Sequence, residues 1–303
     1  MKKHTFVLCF LIFALTTIAQ NQQFELYANN VISSQSATNY GKYLFLIADG
    51  MSAIMLYDLI TRTPIFTQDL ASSGIIKETS FRHCNQCCFS QEKYNRKDMF
   101  PLLYVSQRAP KNSKSAIIDV LRIITYGTNN MIDSFDVRRA QQINLPTMTD
   151  DNCMGNPNVT IDMKRGYIYT YSRNNNIKAS NYLKAVISSF KLPSIHKENV
   201  TLTDSDIKKQ YHLDFSLLNA QGGFYRKGKI FFAQGYPSAD KALNYVYFRE
   251  INTRKGNLVR TVDMLSDGFK CEPEGCWFWK GHAWISTDTG AIYKLTGKKY
   301  KVK

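Results

Sequence analysis

Apolar and aromatic residues run in short blocks along this chain, and nearly every block ends at Asp, Asn or Gly. The clearest are YLFLIADG from Tyr43, FPLLYVSQ from Phe100, GYIYTYSR from Gly166, GKIFFAQG from Gly228 and GHAWISTDTGAIYKL from Gly281. Some alternate apolar and polar positions; others are apolar throughout. Short length, aromatic and β-branched content and a turn residue at the end predict strands joined by hairpins. Helical spacing of apolar residues is scarce, so the predicted fold class is all-β.

The blocks recur in sets. Each set opens with a small polar patch and continues as a strand of small or apolar residues. A turn, an aromatic strand and a third strand follow. Five openings fit: Gln35-Ser36-Ala37-Thr38, His83-Cys84-Asn85, Asn156-Pro157-Asn158, Asn219-Ala220-Gln221-Gly222 and Glu272-Pro273-Glu274-Gly275. That spacing gives about 57 residues per unit, against the roughly 40 to 50 of a four-stranded propeller blade with short loops. A β-propeller of five blades follows, or six if one copy is degenerate. The fifth copy lacks a strand, which FELYANNVI from Phe24 could supply, closing the ring from the N-terminal side. The competing architecture is a β-sandwich or two small β domains. No Pro/Gly/Ser linker or charge break divides the chain, which favours one domain over residues 20–303.

The first residues change the picture of where the protein works. Lys2 and Lys3 precede an apolar run from Phe6 to Leu15, followed by Thr16, Thr17, Ile18 and Ala19. A charged start, a short apolar core and small residues at its end predict a signal peptide over 1–19, with Cys9 removed in it. No later stretch has the length of a membrane span. The expected location is therefore periplasmic, surface or extracellular. The chain has 303 residues, with 44% hydrophobic and 21% charged, enough for a full core and unlike a disordered chain. Its formal net charge is +15, reduced by two when Lys2 and Lys3 leave. Such a balance favours polyanions or an anionic surface. Export argues against nucleic acid as the partner, and the charge is spread along the chain. Its one dense patch, Lys298, Lys299, Lys301 and Lys303, reads most simply as a solvated terminal strand.

In a propeller the first strand of every blade lines the central channel. The opening patches would then converge at one mouth: Gln35, His83, Asn85, Asn156, Asn158, Gln221, Glu272 and Glu274. The plain alternative is that these groups satisfy loop backbone and one another. Glu272 and Glu274, two apart in an extended segment, would point the same way. A close carboxylate pair raises one pKa or holds a cation such as calcium. Trp277, Trp279 and Trp284 all fall in the last unit. Trp277 and Trp284 fit core positions, and Trp279 is the candidate for stacking on a sugar.

The EPEG turn followed by GHAWIST resembles the last blade of secreted bacterial β-propellers, including relatives of the esterase-like phytase group and propellers found beside teichoic-acid genes. His83–Asn85 followed by PLLYVSQ is similar to their HxN…LYV blade. The resemblance covers two blades and implies a propeller while saying little about activity. The sequence departs from that pattern at its cysteines and lacks the dense acidic sites of a calcium phytase.

Six cysteines follow the leader: Cys84, Cys87, Cys88, Cys153, Cys271 and Cys276. An even number in an oxidising compartment predicts disulfides, with Cys271–Cys276 able to clip the EPEG turn. The rival is zinc at His83, Cys84 and Cys87, but zinc normally needs a second arm of ligands and none is present. His196, His212 and His282 are isolated. The chain has no P-loop, GxGxxG, HExxH, GxSxG or EF-hand loop. Asn158-Val159-Thr160 and Asn199-Val200-Thr201 match the glycosylation acceptor pattern.

Two functions fit. The first is an envelope binding or scaffold propeller recognising a glycan or other anionic polymer at the mouth. The second is a glycoside or ester hydrolase with Glu272 or Glu274 as acid or base and His83 as partner. Glycoside hydrolysis needs two carboxyl groups about 5 to 10 Å apart across the bond. Glu272 and Glu274 share one turn, and only Asp49, Asp150, Asp151 or Asp288 could supply the second. Binding is the stronger reading.

Overall fold

The computed structural model describes residues 23–70, 83–107, 116–128, 131–146, 157–174, 177–178 and 180–303. The expected leader, Asp150, Asp151, Cys153 and Asn156 lie outside them. The described residues form five sheets. β1 (Phe24–Ala28) belongs to the last blade. Blade 1 is β2 (Ser34–Tyr40), β3 (Tyr43–Ala48), β4 (Ala53–Asp58) and β5 (Thr63–Asp69). Blade 2 is β6 (Cys84–Phe89), β7 (Leu103–Gln107), β8 (Ile117–Tyr126) and β9 (Ser134–Asn144). Blade 3 opens with β10 (Asn158–Asp162), β11 (Tyr167–Arg173) and β12 (Lys184–Lys191). The chain then returns to blade 2 as β13 (Asn199–Thr201), which pairs in parallel with the outer strand β9. β14 (Ile207–Ser216) completes blade 3. Blade 4 is β15 (Ala220–Arg226), β16 (Lys229–Tyr236), β17 (Tyr245–Asn252) and β18 (Asn257–Asp263). Blade 5 is β19 (Pro273–Trp279), β20 (His282–Thr287) and β21 (Ile292–Leu295), with β1 antiparallel on its outer edge.

This is the five-blade β-propeller that the repeats predict, and the N-terminal strand completes the last blade as expected. Neighbouring inner strands β2, β6, β10, β15 and β19 abut around one axis, with β19 returning to β2. Among the described residues no helix is long and apolar enough to cross a membrane.

Each blade buries both faces, so the middle strands carry apolar residues on both sides. In β3, Phe45 and Ile47 enter a core shared with blade 2, while Leu44 and Leu46 enter one shared with blade 5. The same division repeats around the ring, giving one apolar core in each gap between blades. Five blades leave a narrow axis, and glycine lets the inner strands meet there. A Cβ on Gly275 would stand 2.4 Å from Ala37 Cβ, and one on Gly222 would stand 2.6 Å from Glu274 O. Contacts that short are forbidden to real side chains, so inner strands carry glycine where they cross most closely.

Three expectations need correction. The five described cysteines are free thiols. Blade faces separate most of them: Cys84 and Cys87 share the core between blades 1 and 2 as free thiols, whereas Cys88 lies between blades 2 and 3 and Cys276 between blades 4 and 5. Cys271 and Cys276 end a mostly extended segment spanning about 16 Å, beyond the ~7 Å that a disulfide tolerates between Cα atoms. The lysine tail is not a strand. It forms a short turn of helix, Lys298–Tyr300, whose Tyr300 is buried against Phe24 and Phe248. Asn158 is fully buried on β10 and cannot accept a glycan, whereas Asn199 is exposed.

Candidate functional site

Inner strands start at the same end of the ring, so their first residues gather there. Gln35, His83, Asn85, Gln221, Glu272 and Glu274 line one cavity of about 340 Å³ at the channel mouth. They come from blades 1, 2, 4 and 5. Ser172, Arg173 and Tyr236 join them from the far ends of β11 and β16, which run back up to the mouth. Sequence reading missed these residues. The signal was present, because in a hairpin the end of the second strand faces the start of the first.

Two amide–carboxyl pairs bridge blades at the rim. Gln35 Nε2 donates to Glu274 Oε2 at 2.7 Å, and Gln221 Nε2 donates to Glu272 Oε1 at 2.9 Å. Blade 5 is thereby tied to blade 1 on one side and blade 4 on the other. Glu274 is 6% exposed. Burial, reinforced by Glu272, Asp288 and Asp49, pushes its carboxyl up to about 10, so it is a neutral acid at pH 7. Burial and Asp288 also raise Glu272, while its bond from Gln221 opposes them. Asp49 sits in the turn after β3 and reaches His83, with Oδ1 3.3 Å from Nδ1.

The remaining predicted residues divide. Asn85 lines the cavity, but its amide is engaged with Pro157 O at 3.4 Å. Asn158 donates to Ala220 O at 3.0 Å and is wholly interior, a structural link between blades 3 and 4. Trp279 lies at the opposite end of β19, away from the mouth, because the strand runs the length of the channel between Glu274 and Trp279. Trp277 and Trp284 are core residues, as their spacing suggested.

Further bonds tie the blades together at and below the rim. Ser34 Oγ donates to Ser286 Oγ at 2.9 Å, and Ser36 Oγ accepts the Cys87 N–H at 2.8 Å. Gln86 donates to Gly223 O and accepts from the Tyr171 hydroxyl. Among the described residues no three His, Cys, Asp or Glu side chains converge on a point where a metal ion could sit. Glu272 and Glu274 each already serve a glutamine, and the Cys84 and Cys87 thiols are held protonated by burial, Cys87 up to about 12. That donor set fits neither the calcium nor the zinc expectation.

No protein-family profile matches the chain, and a search of curated proteins finds no relative. Solved structures show likenesses of overall shape. A glutaminyl cyclase of Myxococcus xanthus aligns at TM-score 0.48 and 8% identity, over 90% of this chain and 93% of that one. A glucose dehydrogenase aligns at 0.46 and 10% identity, over 91% and 99%. The Cps50 (Swd1) β-propeller domain of Myceliophteria thermophila aligns at 0.39 and 9% identity, over 87% and 83%.

Proposed function

We propose that this propeller is a binding module whose mouth takes a neutral, hydroxyl-rich ligand, such as a glycan of the cell envelope. The carrying observation is the pair of bridges, Gln35–Glu274 and Gln221–Glu272, on the rim of one cavity. A sugar hydroxyl both donates and accepts, and amides and carboxyl groups side by side offer both roles. Glu274, holding its proton, is a donor at neutral pH, as buried acids in other sites are. Asp49 and Asp288 beside Glu274 oppose the Arg173 charge in the cavity, which disfavours a strongly anionic polymer there. The leader-like first 19 residues support export, and the EPEG and His83–Asn85 openings are similar to those of secreted bacterial propellers.

The hydrolase reading rests on the same carboxyl groups and His83. A general acid works best with a pKa near the working pH. A proton held up to about 10 is released too reluctantly to serve a leaving group at pH 7. Binding is therefore the better use of this geometry. A thermal-shift screen of neutral and acidic oligosaccharides tests it. A ligand at a hundred times its Kd adds about 2.7 kcal/mol to the folded state. A neutral glycan should raise the melting point of the wild type and not of the Glu272→Ala/Glu274→Ala double variant. An equal shift in both proteins would move the site away from the mouth.

A further inference from the structure

The opposite face of the ring carries a second cavity, of about 360 Å³, between blades 5 and 1. Two tight turns build it. The loop from β4 to β5 ends at Arg62, and the two-residue turn from β19 to β20 begins at Lys280. Both residues have left-handed backbone, with φ of 61° and 45°. Arg62 is laid over Tyr27, with its guanidinium carbon 4.0 Å from the ring centre. Lys280 lies over Trp279, its ammonium 4.6 Å from the ring centre. Tyr27, Trp279 and Trp284 form one aromatic wall, and Trp284 Nε1 donates to Trp279 O at 2.9 Å, fixing its position.

The charges in this cavity do not cancel. Lys294 is matched by Glu25 at 3.0 Å. Among the described residues neither Arg62 nor Lys280 has a carboxylate partner, although both face the same space. A guanidinium over a ring still offers N–H donors to a planar two-oxygen acceptor. His282 donates through Nδ1 to Leu295 O at 3.2 Å, since a carbonyl can only accept, which leaves Nε2 for a ligand hydroxyl.

We propose that this cavity is a second ligand site, for an acidic saccharide. Its carboxylate lies between Arg62 and Lys280 and a hydroxyl on His282, while Tyr27 and Trp279 form the floor on which the two cations rest. The site is separate from the mouth and of opposite electrostatic character. It gives the basic chain a defined contact for the polyanions its charge favours.

The test titrates the full chain with a short oligogalacturonate, a neutral maltooligosaccharide of equal length and inorganic sulfate at matched ionic strength, following tryptophan emission. All three tryptophans lie in blade 5, so the signal is local. The turns allow charge to be removed without harming the fold. Arg62→Gly suits the positive φ, and Lys280→Asn gives the hairpin the Asn-Gly pair that such turns prefer. Oligogalacturonate should give a saturable change that weakens as salt rises. Each of these variants should weaken it tenfold or more with an unlowered melting point. The Glu272→Ala/Glu274→Ala variant should respond like wild type, which separates this site from the mouth. The proposal is overturned if the neutral sugar responds equally, if sulfate alone binds as tightly, if nothing saturates, or if the Arg62→Gly and Lys280→Asn proteins bind unchanged.

Discussion

Replacing Glu274 by Gln removes one proton-binding group from the rim and keeps its shape and its bond from Gln35. The consequence depends on pH. The folded carboxyl is pushed up to about 10 by burial and by Glu272, Asp288 and Asp49, well above its ordinary range. A raised folded pKa means that its stabilising share is complete below the unfolded pKa. That share is lost as pH rises through the folded pKa, because the unfolded chain releases a proton that the folded chain retains. Each pH unit within this window costs about 1.4 kcal/mol. From pH 5 to pH 8 the ideal loss is about 4 kcal/mol, and relaxation around an open cavity reduces it to about 2 to 4 kcal/mol. In a chain of this length that corresponds to a fall of about 4 to 8 °C in melting point. Thermal unfolding followed by circular dichroism at four or five pH values measures it. The Glu274→Gln protein should match wild type near pH 5 and exceed it progressively towards pH 8. Other titrating groups are common to both proteins and cancel in the difference. Parallel profiles for the two proteins would refute the reasoning, since Glu274 would then hold no extra proton in the folded state.

Two further outcomes follow from the packing. Gly275→Ala should lower stability by about 3 kcal/mol, the upper end for overpacking, because the new methyl meets Ala37 Cβ and backbone N at 2.4 and 2.6 Å; urea unfolding measures the loss, and an unchanged midpoint would contradict the close crossing of β19 and β2. Alkylation with iodoacetamide at pH 8, mapped by mass spectrometry, should label half-buried Cys271 ahead of Cys84, Cys87, Cys88 and Cys276, which are interior. Burial holds the Cys87 thiol up to about 12 and raises the other three as well, so labelling of these four should require denaturant, and rapid reaction in the native protein would disprove their burial.

The blade count and the closing strand were readable along the chain. The five polar openings recur because every inner strand must start at the same end of one axis, and a local pattern repeated five times is visible without coordinates. Six of the predicted mouth residues meet in one cavity for that reason, and Glu272 and Glu274 sit on the rim because they precede or open β19. Other features depend on which blade face a residue occupies. Cys87 and Cys88 are neighbours in sequence yet belong to different cores, since successive side chains of a strand point to opposite sides. Trp279, five residues beyond Glu274, falls at the far end of the channel, where Arg62 from another blade meets its neighbour Lys280 across one cavity. The sequence by itself determined the repeat, the all-β class and the strand that opens each blade, because those follow from local periodicity and turn chemistry. Tertiary structure decided which thiols stay apart, which amide holds which carboxyl group, and where unmatched positive charge collects. Those outcomes depend on contacts between residues up to 269 positions apart in the chain, which no local pattern encodes.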